Sequence, residues 1–363
     1  MATYDGYGNV LSGVSAAEVK KALQGGIADG SINLGAAVGA TLTANGLTDA
    51  WTANAETAYQ SLLAAYEENP NANVPFFITT DQHGGGTAVE ANRWVNNRDY
   101  DGMNIVNLNL GDSVQDKHYP TELEQIYTRS KQIKNYIGVA GNHEAVYASG
   151  YPMSNARLSK IYGTTNLRKI MSKSPAPVFA VVDDFHRVKY LAVAEYLIND
   201  ADGTTFERGF NTDAADFIIR ELSADDGYDI ILLKHWFLKL ENNGTYSLRD
   251  GSAVADSTSG YDVPFTKMMK ARKAKTYGTY TDLNGVEHSY DFANCKTDIL
   301  CGLHGHDHKE IYGYAGDLLC YAANGHLNNK ASVFGMVDRK NGTLRVWEFS
   351  NSGCLDEFSM TIN

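Results

Sequence analysis

An α/β layered fold with mixed sheets is predicted by three features of this 363-residue chain. Short apolar runs alternate with segments of helical character, the pattern of strands and helices packed in layers. Two pairs of runs read as hairpins, so the sheets are not purely parallel. Five of the runs end on Asp, Asn or His, the edge of a layered α/β sheet where ligands bind.

The elements follow in order. Residues 1–70 read as an accessory segment, rich in Gly, Ala, Ser and Thr up to about residue 50. Its one helix is "TANAETAYQSLLAAYEENP", with a polar start, apolar positions at helical spacing and Pro70 as a stop. Residues 71–363 read as the main domain. There "VPFFIT", "MNIVNLNL", "YIGVA", "YDIILL" and "TDILCGL" read as buried strands. "YPTELEQIYTRSKQI" reads as a helix with Pro120 near its start, and "NTDAADFIIRELS" as a helix capped by Thr212. "VFAVVDDFHRVKYLAV" and "SVFGMVDRKNGTLRVWEF" read as hairpins, the second turning through Asn341-Gly342.

Composition narrows the function classes. Net charge is -12, from 31 basic and 43 acidic residues, which argues against coating nucleic acid or an anionic membrane. It does not exclude a small anionic substrate, because a metal site supplies positive charge locally. No apolar stretch approaches the roughly 20 residues of a membrane helix. The N-terminus lacks the basic start and apolar run of a secretory signal, so a cytoplasmic location is the expectation. Cys295, Cys301, Cys320 and Cys354 are scattered and read as reduced thiols.

The chemistry concentrates at the strand ends. "FFITT" runs into Asp81-Gln82-His83, "NLNL" into Gly111-Asp112, and "IGVA" into Gly141-Asn142-His143-Glu144. "IILLK" runs into His235, and "DILCGL" into His304-Gly305-His306-Asp307-His308. Imidazole, carboxylate and amide together suit Zn, Mn or Fe. If these ends are extended, the pairs Asp81/His83 and His306/His308 each point to one side. Glycines at 84–86, 111, 141 and 305 leave room for close backbone approach. Each residue has a plainer reading: His235 as a core histidine, Asn142 as a turn cap, Asp81 and Asp112 as helix caps. His304 is either a support for a ligand or a histidine in a polar turn. Asp307 and Glu144 either orient neighbouring histidines or are solvated acids. His118 and His186 read as surface or hairpin residues.

The ordered set D-x-H, G-D, G-N-H-E, a lone strand-end His and G-H-x-H resembles the calcineurin-like metallophosphoesterase superfamily over residues from about 75 to 310. That resemblance implies a four-layer sandwich of two mixed β-sheets flanked by helices. It implies two divalent metal ions (Mn, Zn or Fe), one held by Asp81, His83 and His308, the other by Asn142, His235 and His306, with Asp112 bridging. It further implies a phosphomonoester or phosphodiester hydrolase, in which a metal-bound hydroxide attacks phosphorus. His143 would stabilise transition-state charge or protonate the leaving group.

Departures narrow the class. Many relatives carry an Asp three residues after the bridging Asp to orient the catalytic His; here Gln115 stands there, followed by Asp116. No Tyr stands at the position that marks purple acid phosphatases. Ala140 and "GDSVQDK" replace the protein Ser/Thr phosphatase signature. Lys267, Lys270, Arg272, Lys273 and Lys275 form either a basic wall near the phosphate or a solvated helix face. The partner expected is a small phosphorylated substrate, without membrane or nucleic acid, and residues 1–70 are expected to pack on the main domain or on another subunit, or to contact another protein. Two alternatives remain: a non-catalytic metal-binding module on the same fold, and a nuclease of the same superfamily.

Overall fold

A computed structural model describes residues 3–4, 10–11, 47–84, 87–99, 102–114, 128–145, 162, 165–174, 177–194, 196–198, 206–238, 245–255, 263–327 and 329–363. The helix expected from "YPTELEQIYTRSKQI", Gln115, Asp116 and His118 fall wholly or largely outside these residues.

From the N-terminus, β1 (Thr3–Tyr4) and β2 (Val10–Leu11) pair antiparallel. Helix α1 (Asp49–Glu68) starts three residues before the polar "TANAE" because Thr48 caps it, accepting the Trp51 N–H at 3.0 Å. Then come β3 (Asn73–Thr79), α2 (Thr87–Arg98), β4 (Val106–Asn109), β5 (Tyr136–Gly138) and the single turn α3 (Asn142–Ala145). Next are β6 (Arg168–Met171), β7 (Val178–Asp183), β8 (Val188–Val193), β9 (Tyr196–Ile198), β10 (Phe206–Arg208), α4 (Thr212–Ser223) and β11 (Asp229–Lys234). They continue as β12 (Thr245–Leu248), β13 (Ala253–Ala255), α5 (Val263–Lys273), β14 (Tyr277–Thr281), β15 (Glu287–Asp291) and β16 (Ile299–His304). The chain closes with β17 (Ile311–Ala315), β18 (Leu318–Ala322), β19 (Ser332–Asp338), β20 (Thr343–Ser350), β21 (Gly353–Cys354) and β22 (Phe358–Thr361).

Two large mixed sheets result. One runs β21-β20-β19-β3-β4-β5 with β22 beside β20; β3, β4 and β5 are parallel, and β19 is antiparallel to β3. The other runs β13-β12-β17-β18-β16-β11-β8-β7-β6, with β8, β11, β16 and β18 parallel. Strand alternation builds the layers, since successive side chains face opposite sides. Phe76 and Ile78 enter the core between the sheets, together with Ile231, Leu233, Cys301 and Leu303. Phe77 faces the other way, under α1 and α2, beside Trp51, Tyr59, Trp94, Phe334 and Phe349. Ile230 and Leu232 face outward onto α4 and α5 through Phe217, Ile218, Phe265 and Met268. The chain is therefore a four-layer sandwich: helices, sheet, sheet, helices.

Both expected hairpins form, β7–β8 and β19–β20, the latter closing through residues 339–342. The cap of α4 is Asn211, not Thr212: Asn211 Oδ1 accepts the Ala214 N–H at 3.0 Å, while Thr212 Oγ1 donates to Asp282 at 2.6 Å. The basic run is split: Lys267 is exposed, whereas Arg272 and Lys273 are tied inward. Arg272 is fully buried and donates to Leu222 O and Thr297 O, Lys273 Nζ donates to Ile299 O, and Lys275 pairs with Asp298. All four cysteines are free thiols. Among the described residues no helix is long and apolar enough to cross a membrane.

Candidate metal centre

Five parallel strands deliver the motif residues to one place. β3, β4 and β5 belong to one sheet, β11 and β16 to the other, and their C-terminal ends lead into the segments carrying Asp81/His83, Asp112, Asn142/His143, His235 and His306/His308. Backbone hydrogen bonds stitch these turns together beyond the strands. Asp81 N–H donates to Gly111 O at 3.0 Å, His83 N–H to Asp112 O at 2.9 Å and Gly305 N–H to His235 O at 2.9 Å.

The turns themselves are not extended. Asp81 (φ 51°), His83 (φ 51°), Asp112 (φ 49°), His306 (φ 75°) and His308 (φ 53°) all lie in the left-handed region. The i, i+2 argument from an extended strand end therefore does not apply: Asp81 and His83 still share one donor set, but His306 and His308 fall in different ones. Asp and His tolerate this region better than most residues, yet such conformations cost roughly 1–3 kcal/mol each and cluster at functional sites. Two glycines allow the close approach. A Cβ at Gly141 would lie 2.2 Å from Asp112 Oδ1, and one at Gly305 would lie 2.0 Å from Thr80 Oγ1.

Three sets of side chains each bring one donor atom per residue within 4.8 Å of one another: Asp81, His83 and His308; His83, Asp112 and His143; Asp112, His235 and His306. Asn142 joins the last set, its Oδ1 3.1 Å from His235 Nε2. Asp112 belongs to two sets, and its Oδ2 lies 3.1 Å from His235 Nε2 and 3.7 Å from His143 Nε2. His83 and His308 face each other with Nε2 atoms 3.1 Å apart. All eight expected site residues are thus gathered in one cluster.

Supporting groups fix the donors. His235 Nδ1 donates to Leu110 O at 2.6 Å, which leaves Nε2 for the centre. Asp81 Oδ2 accepts from Thr80 Oγ1 at 2.8 Å and His306 N–H at 2.9 Å. Glu144 is fully buried and is not a solvated acid; nor does it orient a histidine through the bonds seen here. Its carboxylate accepts backbone N–H groups from Asp112 (3.1 Å), Ser113 (2.6 Å) and Gly141 (2.7 Å), pinning the Asp112 and Asn142 turns to each other. His304 is a buried support, not a polar-turn residue: its Nδ1 donates to Lys234 O and Trp236 O. Asp307 is half-buried in the turn between His306 and His308. His186 is a hairpin residue as expected but buried, held between Asp183 and Met103 O.

Burial sets the charge state. It pushes His83 down to about 4 and His306 to about 3, and lowers His308, so these imidazoles are neutral, the form that binds metal. Burial also opposes charge on His235, but Asp112 outweighs it and carries His235 up to about 10. Asp112 is held below the usual carboxylate range because His235 and His143 overcome its burial. Burial pushes Asp81 up to about 7 against the pull of His235. Two atoms bear on occupancy. Asp81 Oδ1 and His306 Nδ1 are buried without a hydrogen-bond partner, although such atoms are normally satisfied. With a donor set of imidazole, carboxylate and amide, these orphaned atoms fit a coordinated cation.

Several contributors had no sequence signal. Thr80 acts on its neighbour Asp81, and Trp236 through the distant His304. The "NGH" turn after β18 also escaped notice: His326 N–H and Leu327 N–H donate to Thr80 O and Asp81 O, and Gly325 packs on Asp81 and His308.

No family model matches the chain, and no curated protein matches it. Among solved structures it is similar to a Streptococcus pneumoniae protein described as a predicted phosphoesterase, at 13% identity and a TM-score of 0.30, covering 80% of this chain and 99% of that one. It is also similar to a Staphylococcus aureus protein described as a candidate 5'-nucleotidase, in complex with alpha-ketoglutarate, at 13% identity and a TM-score of 0.42. That match covers 80% of this chain but only 54% of the staphylococcal one, about half its length. At such similarity the chemistry rests on this chain's own residues. Those residues bear the resemblance to the calcineurin-like metallophosphoesterases: five motif segments, in family order, at the strand ends of a four-layer sandwich.

Proposed function

We propose that the chain is a binuclear metal-dependent phosphoesterase, acting on a phosphomonoester or phosphodiester. The observation that carries this reading is the convergence of overlapping donor sets through the single carboxylate of Asp112. Asp81, His83 and His308 would hold one divalent ion, and Asn142, His235 and His306 the other, with Asp112 shared. Bound there, the ions would supply Lewis acidity at the phosphoryl group and a nucleophile at neutral pH.

The chain's own residues would do the rest. Asp112 holds the His143 backbone through a 2.9 Å bond from its N–H to Oδ1, which sets the imidazole beside the centre. The His143 side chain is 18% exposed, so it can meet a substrate and give a proton to a leaving group. His235, with Nδ1 tied to Leu110 O, presents one fixed nitrogen. Glu144 keeps the Asp112 and Asn142 turns in register without touching substrate.

The test pairs metal content by elemental analysis with hydrolysis of mono- and bis-p-nitrophenyl phosphate, for wild type and Asp112→Asn. Two metals per chain with turnover lost in the variant is the expected result. No metal after Mn or Zn is supplied would end this reading. Two metals without turnover would favour a binding module.

A further inference from the structure

We propose that Trp236 is a positioning residue for His306, setting the ring that completes the Asp112–Asn142–His235–His306 donor set. The inference rests on the metal-centre reading above. Trp236 directly follows His235 at the end of β11, and its indole lies flat on the His306 imidazole, with centroids 3.7 Å apart and planes 21° apart. His235 meets the same imidazole edge-on, at 5.2 Å and 76°. The His306 ring is therefore boxed by two aromatic neighbours.

The indole is itself fixed by its backbone. Trp236 O accepts from Lys234 Nζ at 3.0 Å and from His304 Nδ1 at 3.0 Å, and both donors are buried. A metal-binding histidine is ordinarily oriented by a hydrogen bond from its second nitrogen to a carboxylate or carbonyl. His306 has a left-handed backbone, and among the described residues neither ring nitrogen has a hydrogen-bond partner, so whichever one faces the metal, the other lacks such a bond. The flat face of Trp236 replaces that bond. The other donor set is built differently: His83 and His308 stack on each other at 4.9 Å. Trp236 should accordingly govern one metal and not the other.

The chain also carries its own reporter. Of its four tryptophans, Trp51, Trp94 and Trp347 lie together in the cluster under α1 and α2, and Trp236 alone touches a proposed ligand.

The experiment uses the full chain, stripped by chelation and titrated with Mn(II). Bound metal is counted by equilibrium dialysis and tryptophan emission is followed in parallel, for wild type, Trp236→Leu and Trp236→Phe. Wild type should take up two equivalents with a change in emission. Trp236→Leu should weaken one equivalent by about tenfold or more, leave the other unchanged, and leave the unfolding temperature of the metal-free chain near wild type. Trp236→Phe, which keeps a flat face, should recover most of the affinity while abolishing the emission change. Two equivalents of unaltered affinity in Trp236→Leu would overturn the inference alone. So would equal weakening of both, with a lowered unfolding temperature, because that marks packing only. A wild-type chain that binds no metal would instead overturn the metal-centre reading, and this inference with it.

Discussion

Gly141 shows how tightly single residues set this centre. A methyl group there would meet Asp112 Oδ1 at 2.2 Å and the Asp112 backbone nitrogen at 2.6 Å, so backbone must move. Gly141→Ala should destabilise the chain by about 1–3 kcal/mol, as overpacking does, and should lower metal content together with thermal stability. Wild-type metal content in that variant would show that Asp112 needs no such fit. His143 makes the opposite prediction. It belongs to a donor set but is proposed to serve the substrate, so His143→Ala should lower kcat by about 10²–10³ while two metals stay bound. Loss of metal on elemental analysis would reassign it as a ligand. The gathering of the candidate donors was legible in the sequence, because Asp, Asn and His each follow an apolar run that reads as a buried strand. Their conformation was not. Left-handed φ at Asp81 and His306 depends on bonds to Gly111 and Asp81, partners that lie 30 and 225 positions away. Glu144 was visible as an acid beside the ligands, but its three backbone partners exist only once two strands are side by side.

At the scale of elements, the hairpin β14–β15 is clamped to α4 by one imidazole. His288 Nδ1 lies 2.8 Å from Asp216 Oδ1, and Nε2 lies 2.9 Å from Asp282 Oδ2, the oxygen that also accepts from Thr212 Oγ1. Burial opposes charge on His288, but the two carboxylates outweigh it and raise its pKa. The folded pKa exceeds the unfolded value of roughly 6.5, so the clamp's contribution is complete below that pH and fades as pH rises through the folded value. His288→Gln should therefore lower the melting temperature more at pH 6 than at pH 9. An equal drop at both would mean the charge contributes nothing. This element also marks a limit of reading helices locally. Thr212 looked like the cap of α4 because it opens the periodic run, yet Asn211 takes that role and frees Thr212 for Asp282. Likewise the lysines and Arg272 of α5 have the spacing of a solvated face. Only the tertiary carbonyls of Leu222, Thr297 and Ile299 reveal that Arg272 and Lys273 are internal ties, while Lys267 stays exposed.

For the whole molecule, layering was legible and strand order was not. Alternating apolar runs and helical segments require layers, but nothing local places β3 beside β19, where Ile78 pairs with Val333. That long-range pairing also builds the face that α1 covers. Helix α1 lies on the outer face of this sheet, burying Trp51, Tyr59 and Leu62 against Phe77, Phe334 and Phe349. Trp51 Nε1 donates to Lys330 O at 3.0 Å, and the loop from His326 to Ala331 in turn bonds Thr80 and Asp81. The helix is thereby linked to the Asp81 turn. Truncation of residues 1–70 should uncover Phe77, Phe334 and Phe349, and the product should bind a hydrophobic dye and aggregate on gel filtration. The milder Trp51→Ala should destabilise by about 3–5 kcal/mol, the range for emptying a large aromatic site. Because Asp81 depends on the same loop, metal affinity should fall alongside stability in Trp51→Ala, with His235 and its partners unaffected. A truncated chain that stays monomeric, melts at the wild-type temperature and keeps its metal would make α1 a removable accessory. The buried contacts of Trp51 argue for the other outcome.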